Sequence, residues 1–254
     1  MIVKQIIKAN PEFIKNVEEG ESYLNIAEFF FDTIQGEGVN MGCPAAFLRL
    51  QGCTQNCIWC DTQEVWRQGN PYTFDEIFGL MEEHGLIEKL KEGQHLVLTG
   101  GSPLKQQKAL LDFLDDFEFF YGFIPYIEIE NECTLMPYAE FEDLVNCWNN
   151  SPKLSNSGNP DILRYQPKIL KYLSSLPNSW FKFVVSTEED LEEIKRDYLD
   201  KELILKEQVI LMPRGGSKDE LEKNREFAIE KAVEYGFRYT TREHVAVYGK
   251  MTGV

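Results

Sequence analysis

Strand-like and helix-like segments alternate along most of this 254-residue chain, which restricts it to a small set of folds. Patterns typical of buried or half-buried strands occur at residues 45–50, 95–99, 126–130, 180–185 and 209–212. Because strands separated by helices pair in parallel through right-handed crossovers, we expect an α/β fold with a parallel sheet. The pattern leaves open whether that sheet is a doubly wound plane or a barrel, complete or partial.

Helical patterns lie between these strands. They are expected at residues 74–91, 106–117, 137–148, 162–173 and 218–235. Residues 149–160 are rich in Asn, Ser, Pro and Gly and are expected to form a loop. Residues 1–25 show only weak periodicity, so we interpret them as an N-terminal extension to one domain spanning residues 26–254.

Three loops with chemically distinctive residues follow expected strands. They contain Cys53, residues 99–101 and residues 213–216. Ligands of parallel α/β folds bind at the carboxyl ends of the strands. The sequence therefore predicts that these three loops converge on one site.

Composition narrows the classes of partner. The formal net charge is -16 at pH 7, and such an acidic protein repels phosphate backbones, so direct nucleic-acid binding is not expected. The sequence contains no run of 18 or more apolar residues, so no membrane-spanning helix is expected. The first residues lack the basic and then apolar plan of a signal peptide, which makes the cytoplasm the expected location.

Three of the six cysteines, Cys53, Cys57 and Cys60, follow the spacing C-x3-C-x2-C. Three thiolates on one short loop can bind three corners of a cubane iron–sulfur cluster, whereas electron-transfer clusters ordinarily use four cysteines. The missing fourth ligand leaves one iron open to the amino and carboxylate groups of S-adenosylmethionine. The spacing therefore predicts a radical S-adenosylmethionine enzyme.

A zinc site is the alternative interpretation of the same cysteines. Zinc sites usually contain a second Cys or His pair, and this sequence has none, although Cys133 is a conceivable fourth ligand. The remaining cysteines, Cys43 and Cys147 among them, are expected to be ordinary buried residues.

The surroundings of the cysteines resemble the 7-carboxy-7-deazaguanine synthase family within the radical S-adenosylmethionine superfamily. The resemblance runs in order from about Phe29 to the C-terminus. The segments that carry it are residues 34–38, 42–44, 47–53, 59–62, 99–104, 127–130, 151–153, 182–185 and 241–245.

The resemblance implies a partial (β/α) barrel of the radical S-adenosylmethionine type. It implies a carbon–nitrogen lyase that converts 6-carboxy-5,6,7,8-tetrahydropterin to 7-carboxy-7-deazaguanine and ammonia, on the route to queuosine and related deazapurines. The implied cofactors are a 4Fe-4S cluster, S-adenosyl-L-methionine and Mg2+. The implied partners are an electron donor such as flavodoxin and a second copy of the chain in a homodimer.

The resemblance also assigns roles to individual residues, none of them as a catalytic acid or base. The cluster ligands are Cys53, Cys57 and Cys60. The S-adenosylmethionine contacts are Trp59, Cys60, Asp61, Gly101, Ser151, Pro152 and Lys153. The Mg2+ ligand is Thr62, and the substrate contacts are Ile34, Gln35, Gly36, Arg49, Thr99 and the terminal Val254. Without the resemblance, Arg49 would be interpreted as a paired structural arginine, Thr62 as a helix cap and Lys153 as a solvated charge.

One position departs from the family pattern. The family usually has a Glu after the paired glycines that helps to bind the amino group of the cofactor, and this chain has Ser102 at that position. Loss of a charged hydrogen bond costs about 1.5–3 kcal/mol, equivalent to about one to two powers of ten in affinity. The substitution therefore affects the expected affinity for the cofactor and leaves the expected reaction class unchanged.

Two other functions are compatible with the cysteine spacing. One is a radical S-adenosylmethionine activase that forms a glycyl radical on a partner protein, which gives no reason for Thr62 or for residues 35–38. The other is a non-enzymatic zinc-binding module. Peptide labelling tests the first alternative, and metal analysis after anaerobic purification tests the second.

Overall fold

A computed structural model describes residues 3–12, 15–249, 251 and 253. The strands are β1 (Lys4–Lys8), β2 (Tyr23–Ile34), β3 (Pro44–Leu50), β4 (Asn70–Thr73), β5 (His95–Gly100), β6 (Ile127–Asn131), β7 (Val145–Asn150), β8 (Ser179–Val185), β9 (Val209–Pro213) and β10 (Arg238–Tyr239). The helices are α1 (Gln63–Trp66), α2 (Phe74–Glu83), α3 (Leu86–Lys91), α4 (Gln107–Tyr121), α5 (Phe141–Leu144), α6 (Asp161–Arg164), α7 (Pro167–Ser175), α8 (Glu188–Glu193), α9 (Lys218–Tyr235) and α10 (Glu243–Tyr248).

The strands form one mixed sheet in the order β1-β2-β3-β5-β6-β7-β8-β9-β10, with β4 paired to β2. Strand β2 pairs in antiparallel fashion with β1, β3 and β4. The neighbouring strands in the order β3-β5-β6-β7-β8-β9-β10 are all parallel. Within the described ranges, β1 and β10 end the sheet and do not pair with each other, so the sheet is open. The expected α/β class and partial barrel are confirmed.

Alternate residues of the parallel strands lie on opposite faces of the sheet, as the two-residue period of a strand requires. In β6, Ile127 and Ile129 belong to the main hydrophobic core, whereas Glu130 lines a large cavity. In β3, Leu48 belongs to the same core and Arg49 lines the cavity. One face of the sheet is therefore covered by helices, and the other carries polar groups.

Aromatic side chains fill much of the core between the sheet and its helices. Phe113 of α4 is fully buried and stacks on Phe78 of α2, with ring centroids 5.1 Å apart. The ring of Phe74, also in α2, packs edge-on against the ring of Phe113, with centroids 5.5 Å apart. The quadrupoles of aromatic rings favour such edge-to-face packing. These contacts fix α2 and α4 against each other on the helical face of the sheet.

The expected helix over 218–235 is confirmed as α9. Its first turn is capped by Ser217, whose hydroxyl accepts a hydrogen bond from the backbone N–H of Glu220 at 3.4 Å. Leu221, Ala228 and Ala232 form its buried side. In the described part of the chain, no helix combines the length and apolar character needed to cross a bilayer.

The prediction of a helix over 137–148 is wrong. Only Phe141–Leu144 is helical, and Val145–Asn150 forms β7 between β6 and β8. Cys147 and Trp148 are buried there, and parallel pairing satisfies the backbone on both sides. Tertiary pairing therefore overrides the local pattern, because a gap between two buried strands requires an extended segment.

The N-terminal residues contribute to the sheet. Lys4–Lys8 forms β1, which pairs in antiparallel fashion with β2, and β2 begins at Tyr23. The boundary at residue 25 stays a prediction. The expected helix over 74–91 is divided into α2 and α3.

Replacing Phe113 with Ala is expected to lower the free energy of unfolding by about 3–5 kcal/mol, because it leaves a cavity among the rings of α2 and α4. The matched control is Phe119→Ala in the same helix, where the side chain is 82% exposed. That change is expected to stay within about 0.5 kcal/mol. Urea unfolding followed by circular dichroism measures both, and equal losses would contradict this description of the core.

Candidate functional site

A cavity of about 1090 Å³ lies at the carboxyl ends of the parallel strands. The three loops expected to converge there do so, since Cys53, Gly101 and Arg214 all line it. Most other residues singled out from the sequence line it too: Ile34, Gln35, Gly36, Arg49, Cys57, Trp59, Cys60, Asp61, Thr62, Thr99, Ser151 and Lys153. Pro152 is buried outside the described lining, and Val254 lies outside the described residues.

The cysteine loop follows β3, which ends at Leu50, and it forms one wall of the cavity. Each of its three sulfurs has a polar contact with a different part of the chain. The Cys53 thiol donates to the carbonyl of Gly101 at 3.3 Å, the Asn159 amide donates to the Cys57 sulfur at 3.2 Å, and the Trp66 indole donates to the Cys60 sulfur at 3.5 Å. The loop is thus held by contacts with Gly101 after β5, with Asn159 and with Trp66 of α1.

Burial dominates the chemistry of the first two thiols. It raises the pKa of Cys53 to about 11, and the nearby carboxylate of Glu132 acts in the same direction. Burial also raises the pKa of Cys57, against the opposing charge of Lys153. Since iron binds thiolates, cluster binding has to release these protons, and the positive charge of the metal supplies the driving force.

The end of β5 packs tightly against the cysteine loop. A Cβ atom at Gly101 would lie 2.4 Å from the carbonyl oxygen of Gly52 and 2.5 Å from the Cβ of Cys53. A residue without a side chain is therefore required there. This close approach and the three soft sulfur donors on one wall fit a cubane cluster with one iron left free of protein sulfur.

The residues expected to contact the adenosyl cofactor lie beside the cysteine loop. The indole of Trp59 donates to the Asn156 carbonyl at 3.0 Å, which fixes the ring on the wall of the cavity. The ammonium of Lys153 donates to the hydroxyl of Ser151 at 2.9 Å and places a positive charge at the same wall. Aromatic, hydroxyl and cationic groups in one place fit a nucleoside attached to an amino acid.

Arg49 points from β3 into the cavity and is paired. Its Nε donates to Glu28 of β2 at 2.7 Å, and Glu28 is almost fully buried. Among the described residues, its terminal guanidinium nitrogens have no such bond. Arg49 is thus both a paired structural arginine and a group with donors available to an anion in the cavity.

Two further expected substrate contacts are held by carboxylates of β6. Gln35 donates from its side-chain nitrogen to Glu128 at 2.7 Å and to Glu130 at 3.3 Å. Thr99 donates to the second oxygen of Glu130 at 2.8 Å. Burial raises the pKa of Glu130, while Lys182 opposes that effect. These bonds fix the orientation of the amide and the hydroxyl before a ligand binds.

A chain of opposite charges crosses the cavity from β8 to the cysteine loop. Lys182 pairs with Glu37, Arg242 binds Glu37 through Nε at 3.0 Å, and the same guanidinium binds Asp61. Burial disfavours ionisation of both carboxyls, but the cations outweigh it, and the pKa values of Glu37 and Asp61 lie below their ordinary values of 4.5 and 3.8. Asp61 is therefore held as an anion by the C-terminal segment.

Gly36 is required by the approach of His244. A Cβ atom at position 36 would lie 2.7 Å from Nδ1 of the imidazole, and the backbone of Glu243 donates to the Gly36 carbonyl at 2.9 Å. Burial lowers the pKa of His244, which favours the neutral ring. The segment after β2 and the start of α10 thus meet directly at the cavity.

Sequence reasoning assigned no role to several cavity residues. These are Glu37, Glu130, Glu132, Lys182 and Arg242. A signal for three of them was present, because Glu130 and Lys182 interrupt apolar strands and Glu132 follows one directly. A charge at an inward position of a buried strand is a candidate site residue, since it requires a partner or a ligand.

Comparisons with known proteins agree with this geometry. A family model described as a 4Fe-4S single cluster domain matches residues 34–122. The chain is 33% identical over 223 residues to a 7-carboxy-7-deazaguanine synthase from Pyrobaculum aerophilum, covering 88% of this chain and 94% of that relative. A synthase of the same name from Aquifex aeolicus is 30% identical over 197 residues, covering 76% of this chain and 79% of the relative.

A solved structure is also similar. The crystal structure of QueE from Escherichia coli matches with a TM-score of 0.61 and 24% sequence identity, covering 89% of this chain and 96% of that chain. At this identity the likeness concerns the fold, and it agrees with an open, partial barrel.

Replacing Arg242 with Gln is expected to lower the free energy of unfolding at pH 7 by about 3 kcal/mol, because Glu37 and Asp61 lose a shared buried cation. Lowered pKa values stabilise the fold above the ordinary values of 4.5 and 3.8, and that stability is lost as the pH falls. The difference in the free energy of unfolding between the wild type and the variant should therefore become smaller as the pH is lowered toward about pH 3. Urea unfolding at the two pH values measures it.

The control is Arg225→Gln in α9, whose ion pair with Glu222 is exposed. That change is expected to cost less than about 1 kcal/mol at pH 7, so its cost can narrow by no more than this amount toward acid pH. If the loss of unfolding free energy in Arg242→Gln stays constant from pH 7 to about pH 3, the assigned pairing of Arg242 with Glu37 and Asp61 is contradicted.

Proposed function

We propose that this chain, which belongs to the 7-carboxy-7-deazaguanine synthase family, converts 6-carboxy-5,6,7,8-tetrahydropterin to 7-carboxy-7-deazaguanine and ammonia. The reaction is proposed to take place in the large cavity. The enzyme is a radical S-adenosylmethionine lyase with a 4Fe-4S cluster. One observation carries the proposal for this cavity. The cysteine wall and the polar face of the sheet, with Arg49 and Thr99, border the same space.

Cys53, Cys57 and Cys60 are the proposed cluster ligands. When bound, the cluster and S-adenosylmethionine supply a carbon-centred radical by reductive cleavage of a carbon–sulfur bond. The protein positions these groups: Gly101 allows β5 to approach the loop, and Trp59 and Lys153 line the adjoining wall. Asp61, held by Arg242, borders the same wall and is proposed to contact the cofactor together with Ser151 and Pro152.

The proposed substrate contacts lie along the sheet. Arg49 is oriented by Glu28 through Nε, so its terminal nitrogens are available to bind the substrate carboxylate. Gln35 and Thr99 are oriented by carboxylates of β6 and are proposed to bind the polar edge of the pterin. Ile34, Gly36 and Val254 complete the set proposed from the resemblance.

Thr62 is the proposed ligand of Mg2+. It occupies the N-cap position of α1, but its side chain does not cap the helix. Its hydroxyl lies 3.8 Å from the Cys60 sulfur and lines the cavity. A hard oxygen donor in this position suits Mg2+, which commonly takes few protein ligands beside substrate and water.

Three further properties are proposed from the family resemblance. The electron donor is proposed to be a small redox protein such as flavodoxin. The active form is proposed to be a homodimer, and its location is proposed to be the cytoplasm.

The test of function is anaerobic incubation of the reconstituted protein with the carboxytetrahydropterin, S-adenosylmethionine, Mg2+ and dithionite. Mass spectrometry should detect 7-carboxy-7-deazaguanine. Cys57→Ala should remove the cubane absorbance and the product, because one iron loses its thiolate. Cys43→Ala, outside the cavity lining, should retain both. Turnover of the pterin without the deazapurine would overturn the substrate assignment.

Thr62→Val should reduce the apparent affinity for Mg2+ by about ten-fold, equivalent to about 1.4 kcal/mol, because a methyl group replaces the oxygen donor. Thr62→Ser keeps the hydroxyl and should retain the wild-type response. Initial rates over a Mg2+ titration measure the effect. An unchanged Mg2+ response in Thr62→Val would show that this hydroxyl is not a ligand.

A further inference from the structure

Glu132 is a buried carboxylate at the cluster end of the cavity. It directly follows β6, it lines the cavity, and it is 5% exposed. One of its oxygens, Oε1, accepts hydrogen bonds from Thr54 at 2.8 Å and from Thr134 at 2.5 Å. The hydroxyl of Ser102 donates to the same oxygen.

The second oxygen has no such partner. Oε2 of Glu132 is buried and makes no hydrogen bond to the described residues. Among these residues, no lysine, arginine or histidine forms an ion pair with it, and its contacts are neutral hydroxyls. A buried carboxylate with one oxygen unsatisfied is costly unless a cation or a donor binds it. The residue is therefore suited to a positively charged or hydrogen-bond-donating ligand.

The position of Glu132 places that ligand beside the cysteine loop. Its partner Thr54 immediately follows Cys53, and the backbone of its partner Ser102 donates to the Gly52 carbonyl at 2.9 Å. The carboxylate is also close enough to Cys53 to act on the thiol. The substrate contacts proposed above are instead grouped around Glu28, Glu128 and Glu130.

We propose that Glu132 binds the α-amino group of S-adenosylmethionine through Oε2, an inference that rests on the proposed function. The cofactor brings one amino group to the open iron, and that nitrogen has hydrogens to donate. Three hydroxyls orient the carboxylate by holding Oε1, so Oε2 is fixed toward one ligand. Glu132 is a cofactor-binding residue to which the sequence analysis assigned no role.

This assignment accounts for Ser102. A glutamate at position 102 would place a second carboxylate against Glu132 inside the protein, where like charges repel. With serine there, the hydroxyl donates to Glu132 and one negative charge is kept. In this chain, the charge that binds the amino group is thus carried by the residue that follows β6, and Ser102, which follows the paired glycines, donates to it.

The test is Glu132→Gln in the anaerobically reconstituted protein, with equilibrium dialysis of two ligands. S-Adenosylmethionine contains the amino group, and 5′-methylthioadenosine lacks the whole amino acid portion. We expect the variant to bind S-adenosylmethionine about 10- to 100-fold more weakly, since a charged hydrogen bond is lost. Binding of 5′-methylthioadenosine should be unchanged.

Two further variants separate this role from a structural one. Ser102→Ala removes a hydroxyl contact and keeps the carboxylate, so it should weaken cofactor binding less than about three-fold. Ser102→Glu combined with Glu132→Gln moves the charge to the facing position and should recover most of the lost affinity. If Glu132→Gln alone does not take up iron, the affinity for S-adenosylmethionine can still be measured in this double variant, which keeps the carboxylate at the facing position.

The outcomes distinguish the inference from the proposed function. Wild-type protein that takes up a cluster and does not bind S-adenosylmethionine would overturn the proposed function. Normal binding in the wild type with unchanged affinity in Glu132→Gln would overturn only the role of Glu132. Equal loss of both ligands in Glu132→Gln, or no recovery in the double variant, would likewise overturn that role.

Discussion

Charged side chains on the inner face of the sheet must find partners within the cavity, because an unpaired buried charge is prohibitively costly. The pairs formed by Lys182, Glu37, Arg242 and Asp61 satisfy this requirement. They join β8, the segment after β2, the start of α10 and the cysteine loop, which are far apart in sequence. The same pairing that permits a polar cavity therefore also fixes its shape.

The cysteine loop depends on a second constraint, which is close packing against the end of β5. Gly101 lets the backbone approach Gly52 and Cys53 at distances that no side chain permits. Ser102 then meets Glu132 across this contact. The proposed cluster ligands and the proposed cofactor contact Glu132 thus lie on one wall, which is formed by the ends of neighbouring strands.

Two predicted features depended on local or short-range patterns and are confirmed. The helix α9 and the α/β alternation required no knowledge of distant contacts. The helix predicted over 137–148 was wrong, because β7 is stabilised by β6 and β8 on its two sides. The site roles of Arg49 and Thr62 stay predictions, although their side chains face the expected cavity.

The amino-acid order alone predicted the family and the fold class, and it is also the basis for proposing Cys53, Cys57 and Cys60 as cluster ligands, because each of these inferences depends on residue types at fixed spacing. Only the tertiary structure decided which charges meet. Glu132 binds Ser102 and Thr54 because parallel pairing brings the ends of β3, β5 and β6 to one edge. Burial and pairing are properties of that arrangement in space, so no local pattern shows that one oxygen of Glu132 is left for a ligand.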